Sequence, residues 1–174
     1  MKLLFEIDKK DYDPEGKAFI RPSARGIIFR DGKLAVIYSR KNKYCKFPGG
    51  GIELDEDAVT AMIREVKEES GLIVKPESVR EFGYVHRIQK GRHEPVFIQD
   101  NYYYFCEVEE GQEDTEFSES EMKEDFVPMF IPLEEAIRIN GEFSSDDPLY
   151  DSMIEREYMV MKLIKEAENE KMVR

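Results

Sequence analysis

Pro48 and the three glycines that follow it, Gly49, Gly50 and Gly51, interrupt any regular element that reaches them. The stretch "KYCKFPGGGIEL" therefore reads as a short strand running into a Gly-rich loop. A helical pattern follows from about Asp57 to Ser70. Asp55 is placed to cap its start, and Gly71 supplies the left-handed residue that ends it. One face of this helix begins with Ala58, Ala61 and Met62 and ends with Glu65, Glu68 and Glu69. Like charges at i, i+3 and i+4 destabilise an isolated helix by roughly 0.2–0.5 kcal/mol per pair. A face that begins as core and ends as an acid cluster breaks a local rule, and such breaks concentrate at functional sites. Something must offset the repulsion.

The rest of the pattern is mixed. "KLLFEI" reads as a first strand, and "SARGIIFRDGKLAVIYSR" as a hairpin turning at Asp31-Gly32, a type I′ signal. "VREFGYVHRI" and "PVFIQDNYYYFCEV" predict two more strands, and "FVPMFIPLEEAIRIN" a strand and a short helix. The acid-rich segment from Glu107 to Asp125 reads as a solvated loop. Asp147 and Pro148 open a long C-terminal helix, about 147–170. Its stripe of Leu149, Met153, Ile154, Tyr158, Met161 and Ile164 reads as core or as a homodimer surface rather than a ligand box. The expectation is an α+β fold, one domain over 1–174, with a mixed, curved sheet between helices.

Bulk properties exclude several classes. A net charge of -12 argues against duplex nucleic acid as a partner, since that needs a basic face. Cys45 and Cys106 form no CxxC pair, so a disulfide framework is not expected and a reducing cytoplasm fits. The N-terminal apolar run is too short for a signal-peptide core, and no run approaches the ~18 apolar residues of a membrane helix.

Three carboxylates on one helical face are what hard, oxygen-seeking divalent cations require. Mg²⁺ or Mn²⁺ would turn the mutual repulsion of Glu65, Glu68 and Glu69 into shared attraction. The glycines let the backbone come close, and a carbonyl there, at Gly50, can serve as a further ligand. Arg64 lies about 100° round the helix from Glu65, which takes it off the metal-facing stripe. Its fork suits a bidentate brace to Glu56.

From Gly50 to Leu72 the chain resembles the Nudix box, Gly-x5-Glu-x7-Arg-Glu-(apolar)-x-Glu-Glu-x-Gly-(apolar). Gly50, Glu56, Arg64, Glu65, Glu68, Glu69 and Gly71 fill the fixed positions, with Val66 and Leu72 in the apolar slots. "FIPLEEA" near residue 130 also looks like this family. The resemblance implies an α/β/α sandwich and hydrolysis of a diphosphate by metal-activated water. It makes Glu65 and Glu69 metal ligands and Glu68 a third ligand or the base, with the choice of base open. It also implies a loop carboxylate outside the box, at Glu124 or, next, Glu121.

Two cation sets could clamp substrate phosphates: Arg25, Arg40 and Lys46 before the loop, and His86, Arg87, Arg92 and His93 near a strand turn. Arg40, nearest the box in sequence, is favoured. The marker of NADH-type relatives is missing, since the chain has no tryptophan. Arg87 stands where ADP-ribose-type relatives usually have proline. The tyrosine of dinucleoside-polyphosphate types is poorly matched by Tyr84, and no coenzyme A marker precedes the box. The expected substrate is a nucleoside diphosphate linked to another moiety, with nucleoside di- and triphosphates first. The alternative is a non-catalytic nucleotide-sensing module.

Overall fold

The computed structural model describes residues 1–172. Along them run β1 (Leu3–Asp8), β2 (Ala18–Ile20), β3 (Ser23–Ile27), β4 (Phe29–Arg30), β5 (Lys33–Ser39), β6 (Tyr44–Lys46) and β7 (Gly49–Gly51). Then come α1 (Ala58–Ser70), β8 (Arg80–Gln89), β9 (Val96–Phe105), α2 (Glu119–Lys123), β10 (Phe126–Ile131), α3 (Leu133–Gly141) and α4 (Pro148–Met172). The chain divides into two compact units, Met1–Ile28 with Pro48–Phe117, and Phe29–Phe47 with the chain from Ser118 onward.

The first unit is built on a mixed sheet in the order β1-β8-β9-β3-β7, with β2 also on β9. β8 and β9 are antiparallel, while β1 on β8 and β3 on β9 are parallel. Helix α1 packs on β3 and β7 and buries Ala61, Met62 and Val66, as its apolar spacing requires. Its cap is Asp57 rather than Asp55. The Asp57 carboxylate accepts from the N–H groups of Val59 and Thr60 at 2.9 Å each, a reach Asp55 lacks because the helix begins at Ala58. Gly71, at φ 70°, closes the helix with its N–H on the Lys67 carbonyl.

The acidic segment does not float free. The N–H groups of Glu113 and Glu116 donate to the carbonyls of Gly71 and Glu68, and Lys67 pairs with Glu113 at 2.9 Å. Backbone carbonyls left over at the end of α1 are thus met by loop amides. Further on, Ser118 and Glu121 form a capping box that starts α2, a helix the acid-rich composition did not announce.

The second unit holds an antiparallel sheet, β10-β5-β4, with β6 also on β5. Asp31 and Gly32 both have positive φ, 52° and 73°, as a type I′ turn demands. The hairpin is shorter than expected. Ser23–Ile27 leaves it to join the mixed sheet, so the one curved sheet read from the sequence is divided into two. Helices α3 and α4 pack on each other and on β6. In α4, Ile154, Met161 and Ile164 are buried, so the stripe serves as core, and between its turns Arg156 and Glu157 are buried as well. Tyr44 is fully buried, with Phe126, Phe143 and Tyr150 edge-on around it.

Candidate functional site

Strand β7 is the Gly-rich run itself. It pairs antiparallel with β3, setting Gly49 opposite Arg25, Gly50 opposite Ala24 and Gly51 opposite Ser23. Gly26 lets α1 close on the sheet, since a Cβ there would stand 2.9 Å from Val66 Cγ2. At Gly50 a Cβ would lie 2.1 Å from Glu65 Oε2. The Glu65 carboxylate therefore occupies the space that a side chain at 50 would fill, and the missing Cβ brings the acid helix and the β7 backbone together.

Arg64 organises the acids. Its Nε and Nη2 hold Glu56 Oε2 and Oε1 at 3.2 and 2.5 Å, the bidentate pair expected. Its Nη1 also donates to Glu65 Oε1 at 2.8 Å and Glu68 Oε2 at 3.2 Å, and Nη2 to the Gly51 carbonyl at 3.3 Å. The expectation that Arg64 keeps off the acid face is corrected here. A 100° offset separates the Cα–Cβ directions, but a long flexible side chain swings back across it. The hydrogen bonds to Arg64 hold the Glu56 carboxyl below the usual carboxylate range. Desolvation pushes Glu68 up, with Arg64 pulling the other way.

Glu69 points elsewhere. It is buried, and its Oε2 accepts from the Gly49 N–H at 2.9 Å. Among the described residues no three acidic, histidine or cysteine side chains stand gathered as a ready cage for a metal ion. The donors nonetheless suit one. Two carboxylates, Glu65 and Glu68, already converge on a single cationic nitrogen of Arg64, and the Gly50 backbone lies against the first of them. An all-oxygen donor set of this kind is the chemistry a hard divalent cation prefers.

The cations named from the sequence do not form one cluster. Arg25 is buried, with Nη1 on the Gly49 carbonyl at 2.5 Å. Arg87 is buried on the Gln99 side chain at 2.7 Å and over the Phe97 ring. His86, one residue along the same strand, points to the other face and pairs with Asp100 at 2.7 Å. Arg92 and His93 lie in an exposed turn. In the second unit, Arg40 is exposed beside Asp125, and Lys46 lies over the Phe126 ring. Also there, Glu124 accepts from Asn42 Nδ2 at 2.6 Å and from the Tyr150 hydroxyl at 2.8 Å. Glu121 spends its carboxylate on the capping box. Cys45 and Cys106 are buried, which pushes each thiol up to about 12, so neither supplies a thiolate at neutral pH.

The brace lends itself to a direct measurement. Either Arg64→Lys or Glu56→Gln breaks the same fork, so their effects on kcat/KM should be strongly non-additive in a double-mutant cycle. Additive losses would show two independent residues. Glu56 has its folded pKa lowered, so its share of stability is present above the unfolded pKa and lost as pH falls through the folded value. Acid unfolding of Glu56→Gln should lack that part of the decline.

A family model described as NUDIX domain matches residues 20–153, a span that enters both units. The chain is 35% identical over 83 residues to a protein of Methanocaldococcus jannaschii named ADP-ribose pyrophosphatase, covering 45% of this chain and 47% of that one. It is 43% identical over 54 residues to a MutT-like protein of Streptomyces ambofaciens, covering 30% and 35%. The matches thus span less than half the length of either relative. The fold is similar to that of a Nudix hydrolase from Nitrosomonas europaea, with a TM-score of 0.53 at 18% identity over 79% of this chain and 87% of that one. A MutT Nudix hydrolase from Burkholderia pseudomallei gives a TM-score of 0.52 at 19% identity over 67% and 85%.

Proposed function

The chain belongs to the Nudix family, and on that premise we propose that it is a Mg²⁺- or Mn²⁺-dependent pyrophosphohydrolase. The observation that carries this reading is the packing of Glu65 into the space left by Gly50, with Arg64 drawing Glu56, Glu65 and Glu68 together. Glu65 and Glu68 would hold the cation with a backbone carbonyl at Gly50, and Glu69 would join them. Glu124 of the second unit is proposed as a further carboxylate. When bound, the cation neutralises diphosphate charge and lowers the pKa of coordinated water. The residues of the chain do the rest. Arg64 keeps the carboxylates in place, and Glu68 or Glu69 takes the proton of the attacking water. Desolvation at Glu68 raises its basicity toward that task. Water oxygen bonds to one phosphorus, the bridging P–O bond breaks, and the other phosphate leaves.

The substrate class is a nucleoside diphosphate carrying another moiety, nucleoside di- and triphosphates first, with exposed Arg40 as a phosphate contact. The name of the Methanocaldococcus relative favours ADP-ribose as a second reading. A small-molecule substrate, no duplex nucleic acid and a cytoplasmic setting complete the proposal. Among the described residues no helix is long and apolar enough to cross a membrane.

The test is product release from nucleoside triphosphates, nucleoside diphosphates and ADP-ribose, with and without Mg²⁺. Turnover that needs the metal is expected, together with a Mg²⁺-dependent rise in Tm through mass action. Nucleotide binding without turnover would favour the sensing module instead. In the same assay Glu124→Ala should lower kcat well beyond a surface change. Wild-type kinetics would leave Glu124 to its bonds with Asn42 and Tyr150.

A further inference from the structure

Arg25, on β3, reaches the glycine run from the sheet side. It stands opposite Gly49 in the β3–β7 pairing, is 7% exposed, and donates from Nη1 to the Gly49 carbonyl at 2.5 Å. From the other side, Glu69 of α1, 2% exposed, accepts from the Gly49 N–H at 2.9 Å. The two peptide units that flank the Gly49 Cα are thus gripped by opposite charges from two different elements. Burying a guanidinium or a carboxylate is costly without a polar partner, and each has one here on the Gly49 backbone.

The gripped residue has no slack. Gly49 has φ +135°, where L side chains rarely go, and a Cβ there would fall 2.2 Å from the Ala24 carbonyl oxygen and 2.8 Å from Arg25 Cα. The next residue, Gly50, is the one against which Glu65 packs. Whatever turns the peptide after Gly49 also moves the backbone that faces the Glu65 carboxylate.

We propose that Arg25 is a positioning residue: with Glu69 it clamps the Gly49 backbone and so sets the glycine run against the acids of α1, without touching substrate phosphate. This replaces the phosphate-clamp role expected for Arg25 from its place in the sequence. The kinetic part of its test rests on the hydrolase reading, but the clamp itself does not. Glu69 serves the clamp as an acceptor only, so glutamine preserves that service and alanine removes it.

Amide hydrogen exchange of Gly49, followed by NMR in the metal-free protein, reads the clamp directly. Gly49 should be protected in wild type and in Glu69→Gln. It should exchange roughly 10–100-fold faster in Glu69→Ala, the range for losing a hydrogen bond to a charged group. Arg25→Gln should also speed its exchange, by loosening the far side, and Arg25→Lys, which keeps one donor, should fall between. If Arg25→Gln does not fold, Arg25→Lys carries the same comparison. In steady-state hydrolysis of whichever nucleotide proves to be turned over, Arg25 variants should lower kcat with KM within about threefold of wild type. Unchanged Gly49 exchange in the Arg25 variants overturns the proposal, as does a raised KM at unchanged kcat, the mark of a phosphate contact. If no nucleotide is hydrolysed, the hydrolase reading fails while the exchange data still decide the clamp.

Discussion

Glu69→Gln should lower kcat by about 10²–10⁴-fold, the range associated with losing a group that transfers protons in the transition state, while leaving the fold intact. The glutamine keeps an acceptor for the Gly49 N–H, so that contact of the buried side chain survives. What it loses is the negative charge, which both a cation and a proton acceptor need. Relief of repulsion from Glu65 and Glu68 makes the metal-free variant as stable as wild type or slightly more so. The measurements are kcat with saturating Mg²⁺ and Tm without it. A fully active Glu69→Gln enzyme would remove Glu69 from the chemistry and leave it a purely structural acceptor. A variant with a much lower Tm would show that the charge itself supports the fold.

The largest stability effect is expected in α4. Glu157 is 0% exposed, holds Arg156 at 2.6 Å through Oε1, and accepts the Phe47 N–H at 2.7 Å through Oε2. Glu157→Ala takes the same carboxylate away from a buried guanidinium and from a buried amide. Breaking a buried pair from one side costs about 3–5 kcal/mol. For a chain of this size that corresponds to a Tm lower by roughly 6–20 °C, at about 2–4 °C per kcal/mol. Replacing both partners, Arg156→Met with Glu157→Leu, should recover much of the loss, since buried pairs often exchange for packed apolar residues at little net cost. Urea unfolding of the three proteins checks this. A single variant within about 1 kcal/mol of wild type would mean the pair is wetter and less strained than its burial implies.

Fold class was legible because its signals are local. The Asp31-Gly32 turn, the alternation in β8 and β9, and the apolar spacing of Ala61, Met62 and Val66 each depend on neighbours within a few residues. The acid face of α1 and the Arg64–Glu56 brace were legible for the same reason, since only eight positions separate the pair. Where reading failed, the missing information was the length of a reach or the end of an element. Arg64 bends back onto Glu65 and Glu68 because its side chain is long, and Asp57 caps because the first turn starts one residue later.

The buried polar contacts lay beyond any such reading. Phe47 and Glu157 are 110 residues apart, Cys45 and Asn140 95 apart, and Arg25 and Gly49 24 apart. Spacing along the chain determines which residues share a helix face or a turn, and with it which acids gather on α1 and which glycines follow Pro48. It does not determine which strand lies beside which, and that arrangement decides whether an arginine such as Arg25 faces solvent or is sealed onto a backbone carbonyl. The reason is physical. Periodicity is set by the dihedral angles of single residues, whereas the partner of a buried charge is chosen by the desolvation penalty that only close packing of distant segments imposes.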